Sequence, residues 1–266
     1  METESCEAHA LFSGRWLAVG NRLIFAKTRR AVAMSYTRLY QMVFSDPVPQ
    51  GPFAGMRYIR ACVGSALWPK LLGTYELELN PAVEEHIRWQ PDVIINAGAA
   101  EGYYAIGMAR RCPQATIAAY EMFAEGRKLV KLLAAKNGIS DQLQLAEELT
   151  SAILQERLAK AARPAVILDV EGAEMELLDF QKCPALAKAF VLLENHDIAS
   201  GSTLPEMRRR FAATHKIEEI PITARTVENL PNGLKALANF GLKEKLLRLL
   251  DEGRGEAPPW LKLTPR

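Results

Sequence analysis

The sequence predicts a doubly wound α/β protein, in which a mostly parallel sheet is covered by helices on both faces. Three observations support this class. From residue 92 onward, short apolar runs alternate with helical stretches. Two of the runs, 165–168 and 190–193, are wholly apolar, as expected for strands that are buried on both faces of a sheet. The chain of 266 residues, with 49% hydrophobic and 24% charged residues, has the length and composition of a protein with a substantial core.

Local signals define each element in turn. Leucines at helical spacing and the Asn-Gly pair at 137–138 predict a helix that ends there. The stretch 46–52 contains three prolines, so we interpret it as a linker that no helix can cross. We expect a helical extension over 1–80 and a doubly wound domain over 81–266. The predicted helices are most of 1–45, then 53–72, 81–89, 103–111, 123–137, 151–162, 173–180 and 205–214, and the predicted strands are 93–95, 116–120, 142–145, 165–168, 190–193 and 216–222.

Charge and hydropathy limit the classes of function. The formal net charge is +2, which makes nucleic acid an unexpected partner, although residues 1–70 hold nine Lys and Arg against four Asp and Glu. No apolar run approaches the roughly 18 residues of a membrane helix. The first residues are acidic, unlike a secretory signal, and the four cysteines are widely spaced. We therefore expect a cytoplasmic protein with reduced thiols and no membrane partner. The oligomeric state stays open.

The residues that leave each strand of such a sheet carry its chemistry, because ligands bind beyond the carboxyl ends of parallel strands. The first strand is followed by Asn96-Ala-Gly-Ala-Ala-Glu-Gly-Tyr103, whose small residues let a ligand approach the backbone and the start of the next helix. Glu121 follows the second strand, where an acid commonly accepts hydrogen bonds from ribose hydroxyls. Tyr103 stands at the third glycine position of the G-x-G-x-x-G dinucleotide motif, which therefore fits poorly. The spacing is closer to the D-x-G-x-G-x-G loop of enzymes that use S-adenosylmethionine.

A second group of polar residues follows the fourth and fifth strands. The fourth strand runs into Asp169-Val-Glu171, and the fifth runs into Glu194-Asn-His196. If these two strands are neighbours, the four titratable side chains converge. Such clusters shift one another's pKa values and are expected at reacting sites.

Together these motifs resemble the FkbM-like family of S-adenosylmethionine-dependent methyltransferases. The resemblance spans residues 91–196 and rests on four segments. They are Ile95-Asn-Ala-Gly-Ala-Ala-Glu-Gly-Tyr103, Tyr120-Glu121, Leu168-Asp-Val-Glu-Gly-Ala-Glu174 and Leu193-Glu-Asn-His196. The stretch Leu72-Gly-Thr-Tyr-Glu76 also has the look of some members. The first loop departs from the family pattern, since Asn96 stands where the family usually has Asp and the end of the loop differs.

The resemblance implies a class I methyltransferase fold, Rossmann-like, with seven mostly parallel strands. It implies methyl transfer from S-adenosylmethionine to a small-molecule acceptor, often to a hydroxyl of a sugar or natural product. By position, Glu121 would bind the ribose, Glu147 would lie by the adenine and Asp169 would lie near the methionine amino group. The other implied cofactor-binding residues are Asn96, Gly98, Ala100 and Gly102 in the first loop, and Tyr75 and Glu76 on the N-terminal side.

The proton of an acceptor hydroxyl must be removed before the oxygen becomes a good nucleophile. A neutral imidazole suits that task near pH 7, so His196 is the candidate general base, with Asp169 and Glu194 beside it. The alternative is a divalent ion, Mg²⁺ or Mn²⁺, held by Asp169, Glu171, Glu194 and His196. Three other functions stay open: an NAD(P)-dependent oxidoreductase, a non-catalytic relative of the fold, and an RNA methyltransferase, which the net charge disfavours.

Overall fold

A computed structural model describes residues 46–197, 201–255 and 258–266. The helical segment expected over 1–45 lies outside these residues. None of the helices in the described ranges is long and apolar enough to cross a membrane. In chain order the helices are α1 (Leu67–Leu72), α2 (Asn80–Arg88), α3 (Tyr103–Arg111), α4 (Ala124–Asn137), α5 (Ser151–Lys160), α6 (Glu174–Leu177), α7 (Leu204–Phe211), α8 (Asn232–Leu237) and α9 (Lys243–Arg248). The strands are β1 (Val93–Ala97), β2 (Thr116–Tyr120), β3 (Leu143–Ala146), β4 (Pro164–Leu168), β5 (Phe190–Glu194), β6 (His215–Ile220) and β7 (Trp260–Pro265).

Within the described part of the chain these strands form one seven-stranded sheet in the order β3-β2-β1-β4-β5-β7-β6. Strands β1 to β5 pair in parallel, while β7 is antiparallel to both of its neighbours. The chain order reverses between β1 and β4, so the connections that follow these strands diverge there and leave a crevice. This confirms the predicted fold class, including the seven mostly parallel strands.

The apolar strands are buried because helices cover both faces of the sheet. All five residues of β4 are buried. Successive side chains of a strand point to opposite faces. Ile94 therefore packs in one core cluster with α2, α3 and α4, and Ile95 packs in the other with α5, α6 and α7. The doubly wound arrangement thus follows from apolar residues at nearly every position of the central strands.

The seventh strand was not among the elements predicted along the chain. The side chain of Trp260, near the end of the sequence, is only 1% exposed. This residue belongs to β7, which inserts between β5 and β6 and pairs Leu261 with Leu193. Its partners lie far away in the sequence, so no local turn signal marks it as a strand.

Residues 46–66 contain no helix or strand and pack against the domain. The expected helix over 53–72 forms only at its end, as α1. Phe53 is buried against α3, where a Cβ on Gly107 would lie 2.4 Å from its ring. The expected linker is a tight turn in which Val48 exchanges backbone hydrogen bonds with Gly55 and Met56, both at 2.8 Å. Residues 46–80 therefore share the core of the sheet, and the division at residue 80 stays a prediction.

The buried histidine of α2 predicts an acid-sensitive fold. His86 is 0% exposed and its Nε2 donates to the carbonyl of Phe190 at 2.8 Å. Burial lowers the pKa of His86 to about 4, although the hydrogen bond to Phe190 opposes this. The unfolded chain then takes up the proton more readily, so stability present at neutral pH is lost as the pH falls from about 6.5 to about 4.

We expect this group to remove up to about 3 kcal/mol from the free energy of unfolding over that range. Urea unfolding at several pH values measures the loss. In His86→Gln, which keeps a donor for Phe190, the pH dependence should be shallower by this amount, since the carboxylates contribute equally in both proteins. Identical pH profiles for the two proteins would show that His86 does not control acid stability.

Candidate functional site

A cavity of about 740 Å³ lies at the carboxyl ends of the central strands. Its walls come from the residues that follow the five parallel strands β1 to β5, together with parts of 63–75 and 252–254. The predicted residues that line it are Tyr75, Asn96, Gly98, Ala100, Glu121, Glu147, Asp169, Glu171 and Glu194. Three predicted residues, Glu76, Gly102 and His196, are not among the lining residues, although each contacts a residue of the wall or adjoins it.

The loop after β1 is in close backbone contact with the end of β4. Gly98 has φ +74°, and a Cβ at this position would lie 1.5 Å from the carbonyl oxygen of Asp169. The N–H groups of Gly98 and Ala99 both donate to the carbonyl of Tyr120 at 3.0 Å. Ala100 also has a positive φ of 48°, a conformation that non-glycine residues seldom adopt. The loop therefore joins β1, β2 and β4 and exposes its backbone to the cavity.

Gly102 is the N-cap residue that immediately precedes α3, and it is not among the residues that line the cavity. Its φ is +100°, and its N–H donates to the carbonyl of Ala99 at 2.7 Å. A Cβ there would meet Ile106 at 3.1 Å and Val130 at 3.5 Å. Its role in the structure is to let the loop turn into the helix close to α4.

Glu121 is held rigidly at the end of β2. One carboxylate oxygen accepts the N–H of Ala100 at 2.7 Å, and the other accepts the N–H of Phe123 at 2.8 Å. Gly126 leaves room for the side chain, since a Cβ there would lie 2.7 Å from the Glu121 Cγ. A carboxylate has about four lone-pair positions. Each oxygen of Glu121 can therefore still accept a second hydrogen bond from a ligand in the cavity.

Asn96 presents a buried acceptor without a protein partner among the described residues. Its side chain is 2% exposed and its Nδ2 donates to the carbonyl of Ile167 at 3.4 Å. Its Oδ1 makes no hydrogen bond within the described ranges, although the residue lines the cavity. Buried polar atoms are nearly always paired, so this oxygen is suited to a donor from a ligand or water.

The two remaining predicted cofactor residues in the cavity wall are Tyr75 and Glu147. Tyr75 packs its ring against Lys70, whose Nζ is 4.6 Å from the ring centroid. Glu147 is largely exposed and forms an ion pair with Arg127 at 3.0 Å. Both line the cavity.

A buried ion pair that the sequence analysis missed stabilises the loop after β1. Glu101 is 0% exposed and Lys70 is 2% exposed, and their side chains are in direct contact. Glu101 also accepts the hydroxyl of Tyr58 at 2.6 Å and the N–H of Val63 at 3.1 Å, while Lys70 donates to Ser65 at 2.5 Å. The pair therefore attaches residues 58–70 to the β1 loop. In the sequence, the only hint of this ion pair was the presence of an acidic residue, Glu101, inside the loop.

A second network, also missed, involves Arg254. This guanidinium contacts the carboxylates of Glu76 and Glu194, and Tyr104 donates its hydroxyl to Glu76. Burial raises the pKa of Glu76 to about 7 although Arg254 opposes the shift. Burial and the charge of Asp169 raise the pKa of Glu194 to about 9. Glu76 thus anchors Arg254 in the wall, and its implied contact with the cofactor stays a prediction.

His196 lies against a cluster of carboxylates. Its Nδ1–H donates to Glu174 at 2.6 Å, and its Nε2 is 3.7 Å from Asp169 Oδ1 and 3.6 Å from Glu171 Oε2. Burial opposes the imidazolium, but the hydrogen bond to Glu174 and the charges of Glu194 and Asp169 raise the pKa of His196 to about 9. This shift favours the imidazolium, whereas a general base needs a free lone pair.

Comparison with known proteins gives structural similarity only. No family model and no curated protein matches the chain. A precorrin-6y C5,15-methyltransferase from Geobacter metallireducens GS-15 is similar at 18% identity over 55% of this chain and 75% of that one, with a TM-score of 0.42. A putative O-methyltransferase from Klebsiella pneumoniae matches at 15% identity over 55% and 73%, with a TM-score of 0.38. A ribosomal protein L11 methylase from Lactobacillus delbrueckii subsp. bulgaricus matches at 18% identity over 56% and 74%, with a TM-score of 0.40. Similarity at this level identifies neither an activity nor a substrate for this chain.

The close contact at Gly98 predicts an unequal response to two glycine substitutions. Gly138, at the end of α4, has φ +69°, and no described atom lies within 4 Å of the position that a Cβ would take there. Gly138→Ala should lower the free energy of unfolding by only about 1–2 kcal/mol, the cost of the left-handed conformation. Gly98→Ala adds the collision with Asp169 and should cost at least about 4 kcal/mol or prevent folding. Urea unfolding compares the two, and equal losses would show that the loop is not fixed by this contact.

Proposed function

We propose that the protein is a methyltransferase that binds S-adenosylmethionine in the cavity and methylates a hydroxyl of a sugar or another small molecule. The sheet order, with its crevice between β1 and β4, is compatible with this class of enzyme. The residues of the crevice support the proposal more specifically, through their charge and through the acceptors that they offer.

The observation that carries the proposal is the sign of the charge around the cavity. Only two of the described lining residues are cationic, Lys70 and Arg254, and both contact buried carboxylates. The acidic lining residues are Glu121, Glu147, Glu148, Asp169, Glu171, Glu176, Glu194 and Glu252. A sulfonium cofactor brings a positive charge to this wall, whereas the pyrophosphate of NAD would bring two negative ones. The cavity therefore favours the sulfonium compound over a dinucleotide.

The positions of the acceptors match the parts of the cofactor. The clamped carboxylate of Glu121 can accept both hydroxyls of a ribose. Exposed Met122 and Phe123 line the same end of the cavity and offer apolar surface to a purine. Asn96 and Asp169 offer acceptors to a methionine amino group at the end of β1 and β4. The small residues at 97–100 allow such a ligand to lie against the backbone.

S-adenosylmethionine, when bound, supplies a methyl group on a positively charged sulfur. The residues of this chain must then hold the acceptor in line with the sulfur–methyl bond and exclude water. His196, Asp169 and Glu194 are the candidate groups for the acceptor side. As a general base, His196 would receive the hydroxyl proton on Nε2, which first requires the loss of its own proton. The other route to a nucleophilic oxygen is a divalent ion at the same cluster.

Calorimetric titration with S-adenosylhomocysteine, with NAD in parallel, tests the cofactor. We expect saturable binding of S-adenosylhomocysteine alone. In Glu121→Gln one acceptor oxygen becomes an NH₂ group that faces the backbone N–H of Ala100 or Phe123. The ligand also loses a hydrogen bond to a charged acceptor, worth about 1.5–3 kcal/mol, so binding should weaken at least about tenfold.

Glu156→Gln is the matched control, because Glu156 is exposed and lies outside the cavity, in an ion pair with Lys160. Its affinity for S-adenosylhomocysteine should stay close to that of the unchanged protein. Binding of NAD without S-adenosylhomocysteine would replace the proposal with hydride transfer. Binding of neither compound would favour a non-catalytic relative of the fold.

A further inference from the structure

The neighbouring strands β4 and β5 bring together three side chains that can ligate a metal. Asp169 and Glu171 follow β4, and His196 follows β5. One donor atom from each of the three lies within 4.8 Å of the other two. The sequence suggested four candidates, but the fourth, Glu194, instead contacts Arg254. The structure therefore selects a mixed set of two carboxylates and one imidazole.

The separations of the donor atoms fit coordination better than direct contact. The imidazole Nε2 is 3.7 Å from Asp169 Oδ1 and 3.6 Å from Glu171 Oε2, which is too long for hydrogen bonds. At the angles of octahedral and tetrahedral coordination, two metal–ligand bonds of about 2.1 Å place their donor atoms about 3.0–3.4 Å apart. An ion between the three groups thus requires the donor atoms to approach one another by only a few tenths of an ångström.

Glu174 orients the imidazole as metal-bound histidines are usually oriented. Its carboxylate is 0% exposed and accepts Nδ1–H of His196 at 2.6 Å. This hydrogen bond directs Nε2 toward Asp169 and Glu171. Histidines that bind metals commonly donate their second N–H to a carboxylate in this way.

The charge balance of the cluster also calls for a cation. Asp169, Glu171 and Glu174 all have His196 as their shared ion-pair partner. One imidazole stands against three carboxyl groups, and a divalent ion would bring two positive charges to a place that is rich in carboxyl oxygens.

We propose that Asp169, Glu171 and His196 bind a divalent transition-metal ion, with Glu174 as the positioning residue for the imidazole. One imidazole with two carboxylates suits Mn²⁺ or Zn²⁺ better than Ca²⁺, which prefers six to eight oxygen ligands. Asp169 and Glu171 line the cavity, so the ion borders it. If the proposed methyltransferase function holds, an acceptor hydroxyl that binds the ion acquires a lower pKa and loses its proton to solvent.

The full chain, stripped of metal with a chelator, is titrated with Mn²⁺ and the free ion is measured by electron paramagnetic resonance. Calorimetry with Zn²⁺ is run in parallel. We expect one saturable site. Glu171→Gln and His196→Ala should weaken binding at least about tenfold, and Glu174→Gln by about 10–100-fold as expected for a group that orients a ligand. Glu156→Gln, which removes an exposed carboxylate outside the cavity, should leave the affinity unchanged.

Two results would overturn the inference: no saturable binding of Mn²⁺ or Zn²⁺ up to about 1 mM, the weak end of protein metal sites, or binding that His196→Ala and Glu171→Gln leave intact. Because Glu171 is exposed, its variant tests the site even if the His196 variant does not fold. Titration with S-adenosylhomocysteine separates this inference from the proposed function. Metal binding without cofactor binding keeps the site and removes the methyltransferase, whereas cofactor binding without metal overturns the site and leaves His196 as the candidate base.

Discussion

The contact between the β1 loop and the end of β4 is the constraint on which the site depends. At Gly98 there is no room for a side chain, because the carbonyl of Asp169 occupies the place of a Cβ. The loop must therefore run directly over β4, and from this position the backbone of Ala100 reaches the carboxylate of Glu121. The same contact fixes where Asp169 leaves β4. One close approach thus sets the spacing between the predicted ribose acceptor and the acidic cluster.

Buried ion pairs attach the chain before α2 and the segment before β7 to the strands and loops around the cavity. The Lys70–Glu101 pair holds the chain before α2 against the β1 loop, and Arg254 holds the segment before β7 against Glu76 and Glu194. Burying such groups is costly, and an apolar contact would give as much stability. What a charged pair adds is a unique geometry, since a shifted segment would leave an unpaired charge inside the protein. Both sides of the cavity are therefore built from contacts that tolerate little displacement.

The sequence allowed those features to be predicted that depend on the residues of one strand and of the loop that follows it. Six strands and the helices between them were predicted to within a few residues, because apolar runs must be buried. Asp169, Glu171 and His196 could be placed together from the rule that parallel strands end at one edge. The seventh strand could not be predicted, because it forms by pairing with the distant strands β5 and β6 and has no strand pattern of its own. Lys70, Glu101 and Arg254 were missed for the same reason: an ion pair between distant segments has no local signature.

Both proposals for the cavity involve a ligand that carries positive charge. The described wall holds more carboxylates than its two cations can balance, and burial raises the pKa values of Glu194 and Asp169. Protons partly neutralise this wall when no ligand is bound. A sulfonium cofactor and a divalent ion would each replace protons by a more specifically placed positive charge. The two proposals are thus physically compatible: the cofactor would neutralise the end near β1, the ion would neutralise the end between β4 and β5, and the acceptor would bind where the two meet.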